Sequence, residues 1–282
     1  MKRKDRIKLH FTRNWNLPGK ERLSHWFKPS NDLKLSLKKG IVWLTNENIA
    51  IYTDADNYIE WCILSNGTYE DEISKLIKTS LKPGYIALDI GANIGLQSLR
   101  MAECVGINGK VYAFEPLQYL QEKFKANMQL NNAYNVTLFP FALANTTSEE
   151  SFKIDRNLWN QGTFNLSNQN TGSETQQVII KIADDITEIK NLERLDLIKI
   201  DVEGFEFDVI KGLYKTLHRH KPRIIFEYDS NYWINNGKNI IDCYNFLRSL
   251  DYEFYQVTSV GCEFISNADK TESGNIFCIQ KS

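Results

Sequence analysis

Four acids close short apolar runs, and they are the first residues in this chain that could do chemistry. Asp89, Glu115, Asp201 and Glu227 each stand at or near the end of such a run. Asp89 opens the segment Asp89-Ile90-Gly91-Ala92-Asn93-Ile94-Gly95, between a predicted strand and a predicted helix. Glycines there let the backbone turn sharply and come close to a ligand. The helix amino terminus adds partial positive charge and free N–H groups. A nucleotide-cofactor site is the natural reading, with Asp89, Gly91, Asn93 and Gly95 as its residues. The spacing is not that of a dinucleotide fingerprint, because its middle glycine is missing. A pyrophosphate prefers close glycine backbone and a bare helix end, and Asp89 would repel it. The carboxylate suits a cationic cofactor with an ammonium group and a sulfonium centre.

Glu115 stands about 20 residues beyond Gly95, where an acid can accept both hydroxyls of a ribose. A capping role before Pro116 is the alternative. Past the next run, Phe141-Ala142-Leu143 is placed to offer backbone and apolar surface to an adenine. His218 and His220 follow a predicted helix and precede a strand. That puts them at the opposite edge of the sheet from ligands, which bind beyond the carboxyl ends of parallel strands. Neither is a candidate base. His10 and His25 lie in an amino-terminal region that the pattern leaves open.

The elements that must position these residues alternate. Short strands are predicted near residues 35–37, 41–44 and 49–52, then a helix from Glu72 to Leu81. Strands follow at Tyr85–Ile90, Lys110–Glu115, Val136–Phe141, Leu195–Asp201 and Arg223–Tyr228. Helices are predicted between them at Leu96–Val105, Leu117–Asn131 and Glu206–Leu217, with another at Ile240–Leu250. Apolar strands alternating with amphipathic helices indicate an α/β fold, Rossmann-like and doubly wound, with a mostly parallel sheet. Two closing strands, Glu253–Val257 and Ile276–Gln280, can pair as a terminal hairpin and add an antiparallel strand. Residues 1–66 are expected to be an amino-terminal extension, and 67–282 the main domain. An insertion at about 144–193 is polar and Asn-rich, with possible strands at Ser151–Ile154 and Val178–Ile182. Such insertions are either substrate-binding elements or tolerated loops.

Bulk composition excludes several partners. The chain has 282 residues, 42% hydrophobic and 24% charged, with net charge −1. No global field attracts nucleic acid or an anionic membrane. A basic tip, Lys2, Arg3, Lys4, Arg6 and Lys8, is read as a solvated tail, with weak peripheral docking to an anionic surface as the sharper alternative. It is not read as a signal peptide, because no sufficient apolar run follows it. No stretch approaches the ~20 apolar residues of a spanning helix. Cys62, Cys104, Cys243, Cys262 and Cys278 are scattered and odd in number. They are expected to be reduced thiols of a cytoplasmic protein.

Together these residues resemble the FkbM-type methyltransferases, a branch of the class I S-adenosylmethionine-dependent enzymes. The resemblance rests on Gly67-Thr68-Tyr69-Glu70, on Leu88 to Gly95, on Ala113-Phe114-Glu115-Pro116, and above all on Ile198-Lys199-Ile200-Asp201-Val202-Glu203-Gly204-Phe205-Glu206. It runs from about Gly67 to the carboxyl terminus and leaves residues 1 to about 65 unmatched. It implies methyl transfer from S-adenosylmethionine to a hydroxyl, often on a sugar or a polyketide. It says nothing of the acceptor's identity, or of whether the acceptor is free or lipid-linked.

Methyl transfer from a sulfonium is an in-line displacement, and an alcohol acceptor is helped by a base or a metal. Asp201, next to the expected methionine end of the cofactor, is the first candidate to orient the hydroxyl, take its proton or hold a metal. Glu203 is the second. Glu227 and Asp229 would complete an oxygen set suited to a Mg²⁺-like ion. Helix capping is the competing role for Glu203 and the preferred one for Glu206, and a turn role is preferred for Asp229. Glu70 is expected to approach the cofactor's amino group. Gly162, Thr163 and Asn165 are candidates to line the acceptor cleft. Trp159, Phe164, Tyr228, Tyr232 and Trp233 are candidates to stack on a sugar, although most aromatics are core. The rival readings are a nicotinamide-dependent oxidoreductase and a non-catalytic glycan-binding protein on a methyltransferase scaffold.

Overall fold

The computed structural model describes residues 40–154 and 174–281. Five strands form the parallel heart of the protein: β3 (Ile86–Ile90), β4 (Lys110–Phe114), β5 (Val136–Phe139), β9 (Leu197–Ile200) and β10 (Arg223–Tyr228). Their spatial order is β10-β9-β3-β4-β5, all parallel. The order reverses at β3, so the crevice lies beyond the carboxyl ends of β3 and β9. β13 (Gly274–Gln280) lies antiparallel beside β10, and β11 (Tyr252–Thr258) pairs antiparallel with β13. This is the doubly wound fold with the terminal antiparallel strand expected from the sequence. One more strand, β12 (Gly261–Phe264), folds back on β11 from the polar stretch between the two.

The pleat explains how both faces are filled, since successive side chains alternate. Ala87, Leu197 and Ile225 face α2 (Asp71–Ser80) and α3 (Leu96–Val105), meeting Ile73, Ile77, Met101 and Val105. Leu88, Ile198, Ile200, Ile224 and Phe226 face the other way. They meet α6 (Glu206–Gly212), α7 (Tyr214–His220) and α9 (Ile240–Arg248) through Val209, Leu217 and Leu247. The hairpin of β1 (Gly40–Trp43) and β2 (Ala50–Thr53) packs with α1 (Tyr58–Asn66) against α3 and α4 (Gln118–Leu130). Asn131 and Asn127 seal that contact by accepting the backbone N–H groups of Ala50 and Tyr52.

Three local departures from the sequence reading have physical causes. The third parallel strand ends at Phe139 rather than Phe141, because Pro140 has no N–H for the ladder. The chain then leaves the main sheet as β6 (Ala142–Ala144), which joins β8 (Glu174–Ile182) and β7 (Ser148–Ile154) in a separate three-stranded sheet. The single helix expected over Glu206–Leu217 is two helices that meet at Leu213. Gly212 approaches β6 so closely that a Cβ there would lie 2.2 Å from the Ala144 carbonyl oxygen. Asp184 then caps the second helix, accepting from the N–H groups of Lys215 and Thr216 at 2.6 and 3.0 Å. Finally, α1 has no polar stripe. Its residues Glu60 to Asn66 are all buried, so helical periodicity is invisible in the sequence.

Candidate functional site

A cavity of about 340 Å³ opens at the carboxyl ends of the parallel strands, on the switch point. Five of the expected site residues line it directly with their neighbours: Glu70, Gly91, Asn93, Glu115 and Ala142. Asp201 and Glu203, the two expected reaction residues, line it too. Tyr58, Ile59, Tyr69, Val178 and Tyr232 complete the wall from outside the parallel strands. No Lys or Arg is among the described lining residues.

The turn after β3 is shaped by backbone. Gly91 has φ +82°, and a Cβ on it would fall 1.8 Å from the Asp201 carbonyl oxygen. Only glycine lets the turns that follow the neighbouring strands β3 and β9 approach this closely. Gly95 has a different role from the one expected. A Cβ there would meet Met128 and Phe124 at 2.6 and 2.8 Å, so it serves the packing of α3 on α4. Asn93 is left-handed at φ +50°, and its side chain accepts from the next N–H, a compensation open to asparagine.

Glu115 anchors one end of the cavity. Its two oxygens accept the N–H groups of Asn93 and Leu117, each at 2.9 Å. Burial pushes its carboxyl up to about 7, against those two hydrogen bonds. The fixed carboxylate keeps free lone pairs toward the cavity, beside an apolar wall of Leu117, Leu120, Ala142, Leu143 and Val178. Phe141, expected there, is not on that wall. Beyond Pro140 its ring turns into a cluster with Phe114 and Phe139, at 5.8 and 5.6 Å between centroids, with the Lys181 ammonium over it.

Acids crowd the other end. Asp201 has Lys199 Nζ at 2.9 Å, and Glu227 donates a hydrogen bond to it. Burial alone would raise the Asp201 carboxyl. The Lys199 charge and the two hydrogen bonds outweigh this and hold it below the usual range. The Asp201 charge, then burial, drives Glu227 well upward, so Glu227 keeps its proton. Burial, followed by the charges of Asp201, Glu206 and Asp229, pushes Glu203 up to about 9. At neutral pH Glu203 is thus a protonated donor rather than a base. Its φ of +53° makes it a strained loop residue as well.

Several expectations resolve into supporting roles. Glu206 accepts from Val202 and Gly204 N–H and from the Trp233 indole, at 2.9, 3.1 and 2.8 Å. These bonds brace the turn ahead of its helix, whose first N–H groups take no side-chain cap, so the capping role preferred from the sequence is not the one it plays. Asp229 lines the cavity, yet its Oδ1 caps α8 (Ser230–Asn235) through Asn231 and Tyr232. Trp233 and Tyr228 are core residues, 1% and 8% exposed, so neither can stack on a ligand. Asp89 does not line the cavity. It is fully buried behind it, accepting from Ser98 Oγ through one oxygen, while Oδ1 has no hydrogen-bond partner among the described residues. Burial raises its carboxyl, opposed by Lys199. His218 and His220 sit on α7, before β10 and away from the cavity.

Glu70 starts α2 in a left-handed conformation, and Gln97 donates to its carboxylate at 2.7 Å. The buried Arg100 holds this turn by donating to the Tyr69 carbonyl at 2.8 Å and to Glu47 at 3.0 Å. Tyr58, Ile59, Tyr69 and Lys199 escaped the sequence reading as site residues. The signal for Lys199 was present, as a single charge inside an otherwise apolar strand. Trp159, Gly162, Thr163, Phe164 and Asn165 lie outside the described residues, as do Lys2, Arg3, Lys4, Arg6 and Lys8 of the basic tip. Among the described residues, no three His, Cys, Asp or Glu side chains are grouped to hold a metal ion. Nor is any described helix long and apolar enough to cross a membrane.

The donor chemistry of the described lining is compatible with S-adenosylmethionine: it combines an apolar wall, a carboxylate fixed by two backbone N–H groups, and acids with no Lys or Arg among the described lining residues. The chain is also similar to known proteins. AMB antimetabolite synthetase AmbE of Pseudomonas aeruginosa is 30% identical over 193 residues, covering 56% of this chain and 9% of that protein. Hexuronic acid methyltransferase AglP of Haloferax volcanii is 26% identical over 151 residues, covering 52% of this chain and 58% of that protein. The chain thus spans less than two thirds of either relative. The crystal structure of methyltransferase FkbM from Methylobacillus flagellatus aligns with TM-score 0.46 and 14% identity, over 78% of this chain and 53% of that one. The model of the methyltransferase FkbM domain matches residues 89–254. With its glycine turn, strand-end acids and cavity all inside or bordering that span, the chain belongs to the FkbM methyltransferase family.

Proposed function

We propose that the chain transfers a methyl group from S-adenosylmethionine to a hydroxyl, on a sugar of a glycan or a related hydroxylated metabolite. The carrying observation is the polarity of the cavity, with Glu115 and an apolar wall at one end and Asp201 with Glu227 at the other. Residues 67–282 act as the catalytic domain, and residues 40–66 add Tyr58 and Ile59 to its wall. Glu115 binds the ribose, Leu117, Ala142 and Leu143 flank the adenine, and Gly91, Asn93 and Glu70 receive the methionine portion. When bound, S-adenosylmethionine supplies an already activated methyl group.

The protein then has to align an oxygen with that methyl and exclude water. Asp201 is the base. It is ionised, faces the cavity, and accepts the acceptor hydroxyl proton as the oxygen–carbon bond forms. Glu203, protonated, donates a hydrogen bond that orients the acceptor, while the Glu227 proton stays hydrogen-bonded to Asp201. Tyr232 gives that end an aromatic edge. The kinship with a hexuronic acid methyltransferase supports a sugar acceptor. Incubation with S-adenosylmethionine and a panel of sugars and hydroxylated metabolites tests the reading by product mass. Gain of one methyl on an oxygen is expected. Methylation on nitrogen or carbon would overturn the hydroxyl assignment.

A further inference from the structure

β9 carries one charge among apolar residues. Lys199 is 3% exposed, between Ile198 and Ile200, which belong to the core under α6 and α9. By the pleat Lys199 faces the other way, with Leu197, toward α2 and α3. Across the sheet it pairs in register with Asp89 of β3. Its Nζ meets Asp201, two residues along the same face, at 2.9 Å. The acids whose charges act on it are Asp201, Glu70 and Asp89. A buried ion pair is a weak source of stability, because a well-packed apolar side chain of similar volume often serves as well or better. An apolar residue would fit the run Leu197-Ile198-Lys199-Ile200. The charge therefore needs a reason other than packing.

That reason lies in what surrounds Asp201. Glu227 reaches it from β10, Glu203 stands beyond it, and Glu70 approaches from the start of α2. Among the described residues, Lys199 is the cation that touches it, and the other titratable groups facing it are acids, together with the Tyr69 phenol. We propose that Lys199 is a positioning residue for the transfer: its buried ammonium fixes the Asp201 carboxylate toward the acceptor end of the cavity. The inference rests on reading the cavity as a methyl-donor site. Lys199 touches neither donor nor acceptor and acts through Asp201. Without its charge, the paired carboxyls of Asp201 and Glu227 hold their protons more tightly, and Asp201 loses the partner that fixes its carboxylate.

The test is a carbon-13 titration of the full chain labelled at the aspartate side-chain carboxyl, with the Asp201 signal assigned by its loss in Asp201→Asn. In the wild type Asp201 titrates below the ordinary aspartate range. In Lys199→Gln its midpoint should rise by about two pH units or more, a response that a merely structural lysine would not give. An unmoved midpoint overturns the proposal. Should Lys199→Gln not fold, the double variants Lys199→Gln/Asp201→Asn and Lys199→Gln/Glu70→Gln decide. The proposal requires the first to restore folding. Restoration by neither, or by the second alone, overturns it. Calorimetry of the wild type with S-adenosylmethionine separates the two claims. No binding sinks the donor reading and leaves the titration standing, whereas binding with an unmoved Asp201 sinks the role of Lys199 alone.

Discussion

The two ends of the cavity hold their carboxylates by different means. Glu115 is held by backbone: two N–H groups, from Asn93 and Leu117, fix its oxygens. Asp201 is held by side chains: the Lys199 ammonium and the Glu227 proton. Backbone donors do not titrate and barely move, which would suit the ribose-binding role proposed for Glu115. Side-chain partners can exchange protons, which would suit the base role proposed for Asp201. The comparison also separates two kinds of glycine. Gly91 lets the turns after two neighbouring strands meet beside Asp201, whereas Gly95 lets two helices pack.

The largest effect should come from Gly91→Ala. Its Cβ cannot be placed without moving the Asp201 backbone, and its φ is left-handed. A loss of more than about 4 kcal/mol is expected, read as a collapsed thermal transition. Normal melting would show that the two turns approach less closely than described. Glu115→Ala comes next. It removes hydrogen bonds to a charged acceptor, each worth ~1.5–3 kcal/mol, so S-adenosylmethionine should bind roughly ten- to a hundred-fold more weakly. It also strands two buried N–H groups, at about 1–3 kcal/mol each, and should lower the melting point. Binding as tight as wild type would remove Glu115 from the cofactor end.

A smaller effect distinguishes the acids of the reaction end. The folded state raises the Glu203 carboxyl from 4.5 to about 9. Between those values the folded chain binds more protons than the unfolded chain, so this group's contribution to stability falls as pH rises. Glu203→Gln removes that penalty. The melting point of the variant relative to wild type should increase steadily from pH 5 to pH 8. A constant difference would mean that Glu203 is ionised and free to act as a base. Smallest is Asp229→Ala. Loss of the α8 cap should lower stability by about 1 kcal/mol and leave cofactor affinity within about twofold. A large loss of affinity would move Asp229 from the scaffold into the site.

Much of this contrast was legible in the sequence because it rests on strand ends. Alternating apolar runs place Asp89, Glu115, Asp201 and Glu227 at one edge before any side chain is seen. What escaped depends on contacts between distant segments. Phe141 is absent from the apolar wall of the cavity because Pro140 ended its strand. Asp89 went behind the wall because Ser98 and Lys199 draw its side chain toward α3. Tyr58 and Ile59 were hidden in a helix buried on all sides. The protonation of Glu203 and Glu227 was beyond reach, since it follows from how closely the acids are brought together.

The central claim is that this cavity receives S-adenosylmethionine, and titration calorimetry of the full chain with that cofactor tests it most directly. The account predicts saturable binding at one site per chain. Absence of heat and of saturation at millimolar cofactor would contradict it.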